Sequence, residues 1–107
     1  MSSFDEIQQL IEDLDDLDYF PDAFALTPGH LAALELIRRG EIAFAPVLEA
    51  LLFHPKYVVR GWSAWILGEW GDTRAIPSLQ SALQEDSSYV RKEAHDALAR
   101  LQAAESR

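Results

Sequence analysis

Three histidines, His30, His54 and His95, are the side chains in this 107-residue chain best suited to hold a metal. None has a second ligand three or four residues away, the spacing that would place two donors on one helical face, so no metal site is expected. The acid run Asp13-Leu14-Asp15-Asp16-Leu17-Asp18 resembles a calcium loop only superficially. It lacks the sixth-position glycine and twelfth-position glutamate that such a loop needs, and a solvated helix face is the expected reading. There is no glycine-rich phosphate loop, no Gly-x-Ser-x-Gly turn and no His-Glu-x-x-His pair, so the common nucleotide, acyl-transfer and zinc-hydrolase chemistries lack their signatures. The absence of cysteine removes disulfides, thiolate zinc and thiol nucleophiles together and suits a reducing cytoplasm. No catalytic residue and no cofactor is expected.

Charge narrows the partners. The net charge is −9, and residues 1–22 hold Asp5, Glu6, Glu12, Asp13, Asp15, Asp16, Asp18 and Asp22 with no Lys or Arg. Non-specific nucleic-acid binding draws its affinity from Lys and Arg replacing phosphate counterions. Here that contribution is repulsive or absent, so nucleic acid and anionic membrane surfaces are both disfavoured. No window approaches 18 consecutive apolar residues, and no spanning helix is expected. The amino terminus has no basic flank before an apolar stretch, so no secretory signal is expected.

The elements that must position any functional group are legible from an internal repeat. Residues 40–70 slid onto 71–101 superpose Gly40 on Gly71, Pro46 on Pro77, Leu48 on Leu79, Leu52 on Leu83, Val59 on Val90, Arg60 on Arg91 and Leu67 on Leu98. A further step back places Leu36 under Leu67 and Ala32 under Ser63, a third copy of the second half-unit at 28–39. Each unit reads as two helices. Asp72 serves as cap and Pro77 lies near the opening turn, where a missing N–H costs least. Gly71 follows the second helix, about 56–70, where a left-handed glycine is expected. The reading is all-α in a single domain over 1–107, with repeat helices in 28–39, 42–70 and 73–103. An acidic helix over 1–20 opens on the capping box Ser3-Phe4-Asp5-Glu6 and seals the end of the stack.

The segments Gly71-Asp72-Thr73-Arg74-Ala75-Ile76-Pro77, Leu83-Gln84-Glu85-Asp86 and Tyr89-Val90-Arg91, with Val59-Arg60 and Leu67-Gly68-Glu69-Trp70-Gly71 one repeat earlier, carry a resemblance. They resemble the HEAT-like repeat family first noticed in phycobilin (phycobilisome) lyases, over roughly residues 28–103. The resemblance implies a short right-handed α-solenoid of antiparallel helix pairs, with second helices lining a concave side. The repeated Arg60 and Arg91, each after a core Val, offer a partner contact; the resemblance implies instead that both are structural, pairing with the acid column of Glu41 and Asp72 to tie neighbouring units.

Aligned columns then nominate a surface. Trp70 falls on Leu101 and is expected to be core packing; His95 falls on Ala33 and Ala64 and is expected to be partly packed. Trp62 and Trp65 fall on Glu93 and Asp96, columns that accept charge and so face away from the core, and on Leu31 and Leu34 in the preceding copy. The second helices are thus expected to present an apolar strip of Leu31, Leu34, Val58, Trp62 and Trp65. Glu69 shares the helix face of Val58, Trp62 and Trp65, Tyr89 borders the strip, and Arg38, Glu93, Asp96 and Arg100 form its charged rim. Each Trp can bury roughly 200 Å², so the strip would expose on the order of 300–400 Å², about the largest patch a monomer shows.

Three functions compete for such a surface. The first is a non-enzymatic scaffold or assembly factor binding another protein or peptide. Homodimerisation, or coverage by the apolar connector over 19–26, would bury the same strip. The second, implied by the resemblance, is an accessory of bilin attachment or removal, with a flat chromophore stacked on the Trp residues and Arg38 meeting a propionate. The third, an enzyme of the HEAT-like DNA glycosylase sort, needs a basic channel that this sequence lacks.

Overall fold

A computed structural model describes residues 3–16 and 27–105. Among these the chain is all-α. Its helices are α1 (Ser3–Glu12), α2 (Pro28–Arg39), α3 (Glu41–Phe53), α4 (Tyr57–Trp70), α5 (Ile76–Ala82) and α6 (Ser88–Glu105), with a 3₁₀ turn, Thr73–Ala75, leading into α5. They stack as a short helical solenoid. No helix of the described residues is long and apolar enough to cross a membrane.

Local chemistry sets the boundaries. The Thr27 hydroxyl accepts the His30 N–H at 3.1 Å, and Pro28 occupies the first helical position. Arg38 and Arg39 in the last turn of α2 complement its dipole. Gly40 (φ 65°) makes the sharp joint to α3, and Gly71 (φ 68°, ψ 24°) ends α4 in the left-handed region that glycine enters without penalty. Asp72 caps the 3₁₀ turn, not α5 itself, by accepting the Arg74 N–H at 3.0 Å.

Two expectations about α1 change. It ends at Glu12, short of residue 20; residues 17–20 lie outside the described set, as does the expected connector over 19–26. Beyond Glu12 the acid run leaves the helix. Leu14 N–H turns to Ile11 O at 3.1 Å and Asp16 N–H to Leu14 O at 2.8 Å. Aspartate is a poor helix former, and adjacent like charges add repulsion. Outside the helix, Asp16 reaches across to accept the Gly29 N–H at 2.8 Å, while Leu14 remains fully buried.

The core runs through the inner faces of all six helices, from Ile7, Ile11 and Leu14 through Leu36, Val47, Leu51, Val59, Ile66, Leu67 and Leu79 to Val90, Leu98 and Leu101. Central α4 is enclosed by α2, α3 and α6, and every residue from Gly61 to Gly68 is buried. Two glycines let α6 close on it. A Cβ at Gly61 would meet the Tyr89 ring at 2.0 Å, and one at Gly68 would meet Ala97 Cα and Cβ at 2.9 Å. Neither glycine is needed for a turn; both serve close helix–helix approach.

Candidate protein-binding surface

The second helices α2, α4 and α6 carry the residues expected to bind. The central ones are not exposed. Trp62 is 0% and Trp65 9% exposed, and Val58 and Glu93 are also buried. The column logic fails at Glu93: it lies inside, so its alignment with Trp62 does not mark an outward face. Trp62 and Trp65 pack edge to face with centroids 5.4 Å apart, and the His30 ring lies 5.8 and 5.9 Å from them. Such aromatic pairs gain roughly 0.5–1.5 kcal/mol beyond their buried area. The tryptophans are therefore a packing cluster between α2 and α4, and the open strip of 300–400 Å² is absent.

What remains accessible is the α2 part. Leu31 is 51% and Leu34 42% exposed, one turn apart on one face, followed by exposed Arg38. On α4 and α6, Glu69 and Arg100 form an exposed ion pair. Asp96 is partly exposed and pairs with Lys92 at 3.0 Å, which together with the lysine's charge holds its carboxyl below the ordinary range. Tyr89 is half-buried against Tyr57, centroids 6.3 Å apart.

Four structural expectations are corrected. Trp70 is only partly buried; its indole N–H donates to the Ile37 carbonyl at 3.1 Å, tying the ends of α4 and α2. His95 is exposed, because α6 has no further second helix beyond it among the described residues to cover the column that buries Ala33 and Ala64. Arg60 and Arg91 do not pair with Glu41 and Asp72. Arg60 donates to the His54 carbonyl at 2.8 Å and forms an ion pair with Glu85 at 3.1 Å; Arg91 donates to the Glu85 and Asp86 carbonyls at 2.6 and 2.9 Å. Each arginine thus holds the turn that opens its own helix, and Arg60 also reaches the next unit. Glu41 and Asp72 are bridged instead by Arg74, whose guanidinium carbon stacks 4.1 Å over the Phe44 ring. This clamp depresses both carboxyls, chiefly through their hydrogen bonds to Arg74.

Sequence reading missed a second charged assembly, because it joins elements distant in the chain. Glu35 accepts from Arg38 and Arg39, and Arg39 also donates to Glu6 of α1 at 2.9 Å. Lys56 and His54 hold Asp15 and Glu12 at 2.6 and 2.9 Å. The end helix is latched by charge as well as by its apolar face. The Arg38 hydrogen bond, then that of Arg39, holds the Glu35 carboxyl at about 2, from an ordinary 4.5. Because the folded value lies below the unfolded one, the contribution is present above pH 4.5 and lost as pH falls towards 2. Carbon-13 NMR should place the Glu35 midpoint near 2, and Glu35→Gln should flatten the acid loss of stability in that window. A midpoint at the ordinary carboxylate value would show that the clamp does not persist in solution.

No three His, Asp or Glu side chains gather in a metal-holding group among the described residues. No curated protein matches the chain. The family profile of HEAT repeats matches residues 44–107, more than half of the chain, and covers α4 to α6 with most of α3. With the all-helical stack of antiparallel pairs and the 31-residue sequence repeat, that match places the chain in a known group: it belongs to the HEAT repeats family.

Proposed function

We propose that the chain is a non-enzymatic scaffold that holds a peptide or protein surface on its second helices, around Leu31 and Leu34. HEAT repeats commonly serve as protein-interaction scaffolds. The observation that carries the reading is the pair of half-exposed leucines on one turn of α2, with Arg38 beyond them. Burying a leucine fully is worth about 1.5–3 kcal/mol, so completing the burial of two half-exposed ones, together about one leucine, contributes about 1.5–3 kcal/mol. That suits a small, transient interface in which rim charges set specificity. The bilin-accessory reading loses its support, since the rings meant to stack on a chromophore are packed inside.

The test compares capture by the wild-type chain and by the double variant Leu31→Asp/Leu34→Asp, using a lysate of the source cells and quantitative mass spectrometry. Both positions are exposed, so the melting temperature should move by no more than a few degrees. At least one protein retained by the wild type should drop about tenfold or more, the ratio that 1.4 kcal/mol represents. An unchanged set of captured proteins would remove this face from consideration.

A further inference from the structure

A second exposed apolar surface lies between α1 and α3. Phe4 is 63% and Phe53 75% exposed, and neither belongs to the surface described above. A hollow of about 600 Å³ bounded by Phe4, Gln8, Ala45, Pro46 and Glu49 adjoins one of about 230 Å³ that reaches Phe53. The two share Gln8, Pro46 and Glu49, so they form one groove. Along α3, Ile42, Pro46, Glu49 and Phe53 follow the i, i+4, i+7, i+11 spacing of a single helical face, about 16 Å long at 1.5 Å per residue. Ile42 is exposed as well.

Chemistry at the centre of the groove distinguishes it from a plain apolar patch. Glu49 is exposed and lines both hollows, and it has no ion-pair partner among the described residues. Pro46 has no N–H to give the Ile42 carbonyl, so a backbone acceptor is left without its helical partner one turn away. The flanking α1 adds Asp5 and Glu12 and no base, while the nearby Lys56 is already paired with Asp15 and the His54 ring nitrogen lies 2.9 Å from Glu12.

We propose that the groove between α1 and α3, with Phe4 and Phe53 at its ends and Glu49 between them, docks a basic amphipathic helix of a partner protein. This rests on the scaffold reading but uses a different face. Two-helix grooves accept a third helix through apolar anchors at i, i+4 and i+7, and a Lys or Arg between those anchors would answer Glu49. Charge complementarity selects this occupant over the others. A second copy would bring the acidic α1 and Glu49 of one chain against acids of the other, in a protein of net charge −9. Residues 17–26 carry Asp18 and Asp22 and no base, so they offer Glu49 no counter-charge.

The test uses an alanine-based, fluorescein-labelled helical peptide of about four turns, with Leu at i, i+4, i+7 and i+11 and Lys flanking them. A second peptide has Glu in place of every Lys. Fluorescence anisotropy should show saturable binding of the lysine peptide only. Phe53→Ala and Glu49→Lys should each weaken it about tenfold or more, the scale of an interface hot spot; circular dichroism should confirm that these exposed substitutions leave the fold intact. Leu31→Asp/Leu34→Asp should leave the affinity unchanged, which separates failure here from failure of the second-helix face. Absence of binding overturns the proposal. So does equal binding to Phe53→Ala, which would be mere attraction to an acidic surface. Sedimentation showing a wild-type dimer that Phe53→Ala converts to monomer would assign the groove to a second copy, and overturns it too.

Discussion

Trp62→Ala is expected to destabilise the fold by about 3–5 kcal/mol, the cost of removing a fully buried large aromatic and leaving a cavity. Trp62 has no exposed surface, packs edge to face on Trp65 and against the His30 ring, and sits in the helix that every other second helix packs against. For a domain whose whole stability is on the order of 5–15 kcal/mol, that is a large fraction. Urea denaturation should show the midpoint falling while the slope is unchanged, since the surface exposed on unfolding hardly alters. Leu34→Ala, on the exposed part of the same face, should cost about 0.5 kcal/mol or less. Under the sequence expectation of an open strip the two variants would behave alike; a Trp62→Ala loss under about 1 kcal/mol would favour that arrangement over the packed one.

Gly68 carries the second large effect, because its sign is reversed from the ordinary one. In an exposed helix interior, Gly→Ala stabilises by about 1 kcal/mol. At Gly68 the added Cβ would stand 2.9 Å from both Cα and Cβ of Ala97, and backbone cannot step aside as a side chain can. Overpacking of this kind costs about 1–3 kcal/mol, so Gly68→Ala should be net destabilising and Gly68→Val more so. Ala97→Gly should recover only part of the loss, since the contact with Ala97 Cα remains. Gly61→Ala meets the Tyr89 ring at 2.0 Å, a shorter distance, yet should cost less than Gly68→Val because a half-buried ring can swing outward. Thermal melts of the four variants give the ranking, and a Gly68→Ala protein that melts above the wild type would show that α4 and α6 are not in backbone contact there.

The sequence by itself determined the all-helical class, the pairing of helices and the joints between them. Those features rest on local chemistry: apolar spacing along each helix, Thr27 and Pro28 opening α2, Gly40 and Gly71 closing α2 and α4. A repeat offset of 31 residues fixes which helices are equivalent, and equivalence in a stack implies similar placement. It does not imply similar exposure. Only the tertiary structure decided that Trp62 and Trp65 lie inside, because burial depends on what closes over a helix from outside its own repeat, and α4 is enclosed while the outer face of α6 is not. The glycines at 61 and 68 were the available hint: two such residues inside one helix cost stability unless a neighbour needs the space. The charge pairing was likewise out of reach. Arg74 rather than Arg60 or Arg91 bridges Asp72, its near neighbour in sequence, to Glu41, and Arg39 latches Glu6; the contacts to Glu41 and to Glu6 each span 33 residues of chain, which no local spacing encodes. The groove at Phe4, Glu49 and Phe53 belongs to the same class, since α1 and α3 come together only when the stack is built.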